Sequence, residues 1–311
     1  MNDTERSRVF LLAITLSSYA LVLLLAWVSK LGISMADTSI LVLYFALFTG
    51  CVSILATRWQ MHQLRNLTEC VGCGFLLVVP ITISTYLAIQ QNLPLADEQL
   101  AFWDRAIGVD WIALMRWVDA HALVAWIFNK AYRTFSYQLL AWPIVLILCK
   151  RSVRAYQMVS AYGLLCFAAS AISIWWPAVG TYSYYQFDAN TLENIDQTYG
   201  YHFLTQFHRV RDEPGFVWSL KESAGILTFP SVHAAVATLC AWAMWDIRLL
   251  RYPVFMLNVA MGASAVPSAN HYVIDVIAGC LVALLVVALV VVMTRGGQRH
   301  AVHQIPVAAE R

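Results

Sequence analysis

Charge is scarce in this sequence: Asp, Glu, Lys and Arg make up 12% of its 311 residues, against 60% that are hydrophobic. Soluble domains carry about 25% charged and about 45–50% apolar residues, so a polytopic membrane protein is the default. There is no run of basic residues and no nucleic-acid-reading motif, and a net charge of +2 gives no footprint for a polyanion. No nucleic-acid partner is expected. Repeats, low-complexity tracts and a separable polar domain are also missing. Seven cysteines lie mostly inside apolar runs, where Cys acts as a small hydrophobe. Cys70-Val-Gly-Cys73 has the spacing of half a zinc or redox site, with no second pair to complete it. His202, His208, His233 and His271 with Asp275 offer ligand chemistry, but no His-Glu-x-x-His spacing supports a metal centre, and no cofactor is expected.

What is there is a succession of apolar runs. The first, Val9 to Val28, is long enough to span a bilayer and lacks the short core and small-residue cleavage site of a secretory signal. Further spans are expected at about Thr38–Thr57, Cys70–Gln90, Thr134–Cys149, Gln157–Pro177, Phe229–Trp245, Pro253–Ala265 and His271–Met293. Residues 97–129 mix Trp103, Trp111, Trp117 and Trp126 with Asp104, Arg105, Asp110, Arg116 and Asp119, too charged to span and suited to interfacial helices. The expected fold is all-α: a membrane bundle of about eight transmembrane helices, with interfacial helices on the extracytoplasmic side. Residues 1–69 supply two N-terminal spans, 70–296 the membrane domain with a long loop at 179–227, and 297–311 a cytoplasmic tail.

Short loops rich in Lys and Arg stay cytoplasmic. With the N-terminus inside, Arg58/Arg65, Lys150/Arg151/Arg154, Arg248/Arg251 and Arg295/Arg299 all fall inside. The 179–227 loop and the Pro267–Asn270 turn then lie outside, in what is expected to be the cell membrane.

Two stretches carry chemistry. Thr228-Phe-Pro-Ser-Val-His-Ala-Ala235 and Ser268-Ala-Asn-His-Tyr-Val-Ile-Asp-Val-Ile-Ala-Gly279 each place a histidine at the start of an apolar run, and Asp275 follows His271 by four residues, which predicts one helix face. A carboxylate inside an apolar run is expensive and is usually functional or paired. Two histidines and a carboxylate are enough for covalent phosphoryl transfer.

Pro230-Ser231-Val232-His233 resembles the Pro-Ser-x-His motif of the type 2 phosphatidic acid phosphatase superfamily, and His271-x-x-x-Asp275 its His-x-x-x-Asp motif. The fuller wording is similar to the branch containing the aureobasidin-sensitive inositol phosphorylceramide synthases, as is Phe102-Trp-Asp-Arg-Ala-Ile-Gly-Val-Asp110. The resemblance implies His271 as nucleophile, Asp275 as its orienting partner, His233 as general acid and base, and Ser231 with nearby helix-start N–H groups as phosphate ligands. It also implies membrane lipid substrates: a phospholipid donor and water or a diacylglycerol- or ceramide-like acceptor. The superfamily's Lys, six residues, Arg-Pro motif is absent; its place reads Trp175-Trp-Pro-Ala-Val-Gly-Thr-Tyr-Ser183. Ser264-Ala265 stands where Ser-Arg is usual. Replacement phosphate-binding charge is expected from Arg211, Arg209 or Lys221, or from Lys130 and Arg133. The missing cations keep open a second reading, a lipid-binding or carrier protein on the same scaffold.

Overall fold

The computed structural model describes residues 2–188 and 191–296; the expected tail at 297–311 lies outside the described residues. The fold is all-helical apart from two residue pairs of strand. Among the described residues, five helices are long and apolar enough to cross a membrane: α1 (Asp3–Val28), α2 (Met35–Arg58), α3 (His62–Gln90), α8 (Ser152–Ser173) and α14 (Val273–Thr294); a bent pair, Trp111–Ala120 with Ala122–Tyr132, makes six if it is one broken span. α7 (Phe135–Leu148) and α12 (Val232–Met244) are shorter apolar helices, and α13 (Arg251–Ala269) lies at the seventh expected span.

Helix ends follow local chemistry. α1 starts six residues before its apolar run because Asn2 caps it, accepting from the Glu5 N–H at 2.9 Å. α12 starts at Val232 because Pro230 lacks an N–H and Ser231 is the N-cap, its Oγ accepting from the Ala234 N–H.

α8 runs through the middle of the bundle, touching α1, α3, α7, α12 and α14. Its inward faces carry Ala155, Ser160, Ala161, Gly163, Ala169 and Ser170, small residues that allow close helix approach. The core around it is aliphatic, with Leu77, Leu146, Leu165, Val236, Leu239 and Val290 buried.

The two ends of the bundle differ. At one end the starts of α1, α3 and α8 meet the ends of α2, α12 and α14. There Arg8 donates to Glu69 at 2.8–2.9 Å, Arg65 donates to Glu5 at 2.7 Å, and the Tyr156 hydroxyl donates to Glu69 at 2.7 Å. Ser53 of α2 also donates to Glu69. Arg154 pairs with Asp246 of the turn after α12, and Arg6 donates to the Arg295 carbonyl beyond α14. Glu69 is 1% exposed, so losing Arg8 would strand a buried charge, at a cost of about 3–5 kcal/mol.

The other end is roofed. Residues 97–132 form α4 (Asp97–Ala106), α5 (Trp111–Ala120) and α6 (Ala122–Tyr132), the last two meeting at 104°. The 179–227 loop folds into α9 (Thr181–Tyr184), α10 (Thr198–Tyr201) and α11 (Leu204–Asp212). It also supplies strand β2 (Val217–Trp218), which pairs in parallel with β1 (Gly32–Ile33) between α1 and α2. α4 buries Asp97, Leu100, Ala101 and Asp104, one face at helical spacing. Half of that inward face is carboxylate.

Candidate active site

The two motifs meet under this roof. His271 stands just before α14, and Tyr272 is the helix N-cap. Asp275 is the third helical residue, and one of its oxygens, Oδ2, accepts from the Tyr272 N–H at 3.0 Å and lies 3.1 Å from His271 Nδ1. The contact expected from one helix face is therefore made differently: the chain turns into the helix at Tyr272 and brings the ring back onto the cap carboxylate. Asp275 is fully buried and His271 is 4% exposed. A carboxylate can only accept, so Nδ1 carries the proton and Nε2 is left as the ring's free nitrogen.

His233, the second residue of α12, stacks on Tyr132 (centroids 4.2 Å apart, 12° between planes) and leans on Phe135 (4.4 Å). His233 and His271 line one cavity of about 330 Å³. Its wall adds the hydroxyl residues Thr82, Thr85, Tyr132, Tyr199, Ser223 and Thr228. Val232 and His233, the first two residues of α12, also line it, and neither N–H donates to a protein acceptor among the described residues. Two free donors at the positive end of a 13-residue helix make an anion seat.

The remaining expected ligands sit elsewhere. Ser231 is fully buried; its N–H donates to the Asp275 carbonyl at 3.0 Å, pinning the start of α12 to α14. The helices touch there because residue 279 is glycine: a Cβ at Gly279 would lie 2.2 Å from the Ser231 carbonyl oxygen. Arg209 is held by Glu213 and Glu222, both at 3.1 Å, and Arg211 donates to the Leu93 carbonyl at 3.0 Å. Lys221 is exposed in the loop before α12. None of Arg209, Arg211, Lys221, Lys130 and Arg133 lines the cavity, and no Lys or Arg is among its described lining residues. His208 faces Asp212 at 3.8 Å on the outer side of α11, and His202 is exposed.

The match to known families agrees with this geometry. Residues 98–289, more than half of the chain, match the family model described as PAP2 superfamily. The chain belongs to the PAP2 superfamily. The matched part runs from α4 to α14, so it contains the roof, both histidines and Asp275. Superfamily members are generally phosphatases or phosphotransferases, and this one is a helical membrane protein. No curated protein and no solved structure matches the chain.

Within this superfamily member, the structure adds residues that sequence reasoning did not single out. Asp104 accepts from the Val273 and Ile274 N–H groups at 2.9 and 2.8 Å, taking up the first donors of α14. Asp97 accepts from the Val179 and Gly180 N–H groups at 3.0 and 2.8 Å and from the Tyr272 hydroxyl at 2.9 Å. Burial pushes both carboxyls above their ordinary value, and the N–H donors pull them only partly back. Asn270, left-handed at φ 67°, receives the Thr181 hydroxyl and donates to the Val179 and Gly200 carbonyls. His271 is thus clamped on both sides by backbone contacts to the roof. Two carboxylates at helical spacing, at the start of a Trp-rich stretch, were the available signal.

Proposed function

We propose that this protein moves a phosphoryl group, or a phosphate still bearing its headgroup, from a lipid donor to water or a lipid alcohol through a phosphohistidine at His271. The observation that carries the reading is the buried His271–Asp275 pair facing the same cavity as His233. With Nδ1–H held by Asp275, the Nε2 lone pair attacks phosphorus while the bond from phosphorus to the leaving oxygen breaks. His233 gives that oxygen its proton and becomes the base. It then takes a proton from water or an alcohol, whose oxygen attacks phosphorus and breaks the P–N bond. Asp275 stabilises the cationic ring during the first step. The Val232 and His233 N–H groups and the Tyr132 and Tyr199 hydroxyls hold the phosphate oxygens, the task that the absent Lys and Arg perform elsewhere in the superfamily, while the Thr82, Thr85, Ser223 and Thr228 hydroxyls donate to backbone carbonyls.

The altered cation motifs favour transfer of an inositol-phosphate-like headgroup to a diacylglycerol- or ceramide-like acceptor over plain hydrolysis. Eight spans follow if α7, α12 and α13 cross with the five long helices. The Arg-rich end, gathered in space, then faces the cytoplasm with both termini, and the histidines face the extracytoplasmic side of the cell membrane.

Lipid mass spectrometry on proteoliposomes tests this reading. Wild-type protein supplied with phosphatidylinositol, other phospholipids, diacylglycerol and ceramide is expected to form a new phospho-headgroup lipid, and His271→Ala is expected to form none. Release of dephosphorylated lipid alone makes it a phosphatase. The lack of basic residues in the cavity lining is what favours a lipid-binding scaffold instead, and identical lipid profiles for the two proteins across the donor panel would support that reading.

A further inference from the structure

A second cavity, about 370 Å³, lies between α3, α7 and α8. It shares Phe135 and Tyr162 with the histidine cavity, so the two abut at these rings. On α3 its lining residues Val71, Gly74, Phe75 and Val78 continue, at helical spacing, into Ile81, Thr82 and Thr85 of the histidine cavity. On α7 the stripe is Phe135, Leu139 and Pro143; on α8 it is Met158 and Tyr162, then Cys166 of the histidine cavity. One track therefore runs down the same faces of three helices, from the histidines into the bundle's flank.

Chemistry changes along the track. Its upper part holds the imidazoles, the free N–H groups and most of the hydroxyls, whereas the lower part is aliphatic and aromatic except for Cys70, Ser136 and Tyr162. From Val78 to Cys70 the groove follows α3 for about 12 Å, close to the hydrocarbon depth of one leaflet, about 15 Å. Its walls Phe75, Val78 and Leu140 are each about 40% exposed at the outer surface of the bundle. A soluble phosphate ester would need the upper part alone.

We propose that the groove between α3, α7 and α8 holds one acyl chain of the phospholipid whose phosphate sits against His271, entering sideways from the bilayer past Phe75 and Leu140. This rests on the reading of the histidine cavity as a lipid phosphate site, and it assigns the tail to a defined set of helices. The groove's lower end, between Cys70 and Pro143, limits how long a chain is fully held.

Gly74 gives a direct test. A Cβ there meets only Val159 Cγ1 at 4.0 Å, so a larger side chain enters the groove without forcing the backbone. A Cβ at Gly50 on α2 would have nothing within 4 Å, which makes that position a matched control outside the groove. Full-length wild type, Gly74→Leu, Ser136→Leu and Gly50→Leu are placed in phosphatidylcholine vesicles with a phosphatidate probe carrying a diazirine at the end of one acyl chain. After irradiation, adducts are mapped by peptide mass spectrometry. In wild type and Gly50→Leu, adducts are expected within residues 70–78 and 135–143. Filling the groove excludes about two methylenes, so Gly74→Leu and Ser136→Leu should each lower that labelling on the order of tenfold. Unchanged labelling in both filled variants, or adducts confined to the outer faces of α1 and α2, would overturn the assignment. Labelling requires no turnover, so it is scored separately from the catalytic reading, which fails if wild type and His271→Ala process lipids alike.

Discussion

At the scale of single residues, the site depends on which nitrogen of His271 carries the proton. Asp275 Oδ2 fixes it on Nδ1. Asp275→Asn keeps the size and an acceptor, but an amide N–H₂ turned toward the ring would favour the tautomer with Nε2 protonated, and that nitrogen could no longer attack. The expected outcome is a fall in kcat on the order of 10³–10⁴, with KM changed little, in steady-state assays of the reconstituted protein. An unaltered kcat would remove the orienting role. His233, His271 and Asp275 were legible in the sequence because each interrupts an apolar run, where a polar group needs a reason. Asp97, Asp104 and Asn270 were not, because their partners are mostly backbone groups distant in the chain, for Asp104 about 170 residues away. In a Trp-rich stretch, such carboxylates read as the polar side of an interfacial helix.

At the scale of elements, α4 works as a clamp on the start of α14. Asp104→Ala leaves the Val273 and Ile274 N–H groups without their carboxylate, a loss of about 1–2 kcal/mol. It also loosens the turn that carries His271. A lower thermal midpoint in detergent and a reduced kcat at unchanged KM are expected. The pH dependence has a definite sign. Burial holds the folded-state value of Asp104 above the ordinary carboxyl value of 3.8, so the native protein binds more protons in that window. Stability contributed by this group is fully present below the unfolded value and falls as pH rises through the raised folded value. The midpoint of Asp104→Ala should therefore decline less steeply than that of wild type across that acid range, as thermal scans at stepped pH will show. The long helices were legible from hydropathy, α2 and α14 closely at both ends, whereas α1, α3 and α8 begin at Asp3, His62 and Ser152, well before the apolar runs expected from Val9, Cys70 and Gln157, because their first turns are polar. The bend between α5 and α6 and the folding of the long loop were not, since both are set by contacts with α13 and with Asn270 rather than by local pattern.

At the scale of the whole molecule, the short basic loops and the histidine chemistry occupy opposite ends. The Arg8–Glu69 and Arg154–Asp246 pairs gather the basic loops at one end, and the histidine cavity opens near the other. The alternation of basic loops along the sequence anticipated that segregation, because each long helix moves the chain from one end to the other. Orientation is tested by placing single cysteines at Asp212 and at Leu249, both well exposed, in a chain whose seven native cysteines are replaced. A membrane-impermeant maleimide added to intact cells should label Asp212→Cys. It should reach Leu249→Cys only after permeabilisation. The reverse pattern would turn the protein over in the membrane.

The most direct measurement is capture of the covalent intermediate. Wild-type protein is mixed with a phospholipid donor in the absence of acceptor, quenched in base and digested under conditions that spare P–N bonds, and the peptides are sequenced by mass spectrometry. Phosphate, alone or with its headgroup, should be found on His271 in wild type, form more slowly when His233 is replaced by alanine, and be absent from His271→Ala. Turnover by His271→Ala at the wild-type rate, or phosphate captured on a different residue, would contradict a mechanism through His271.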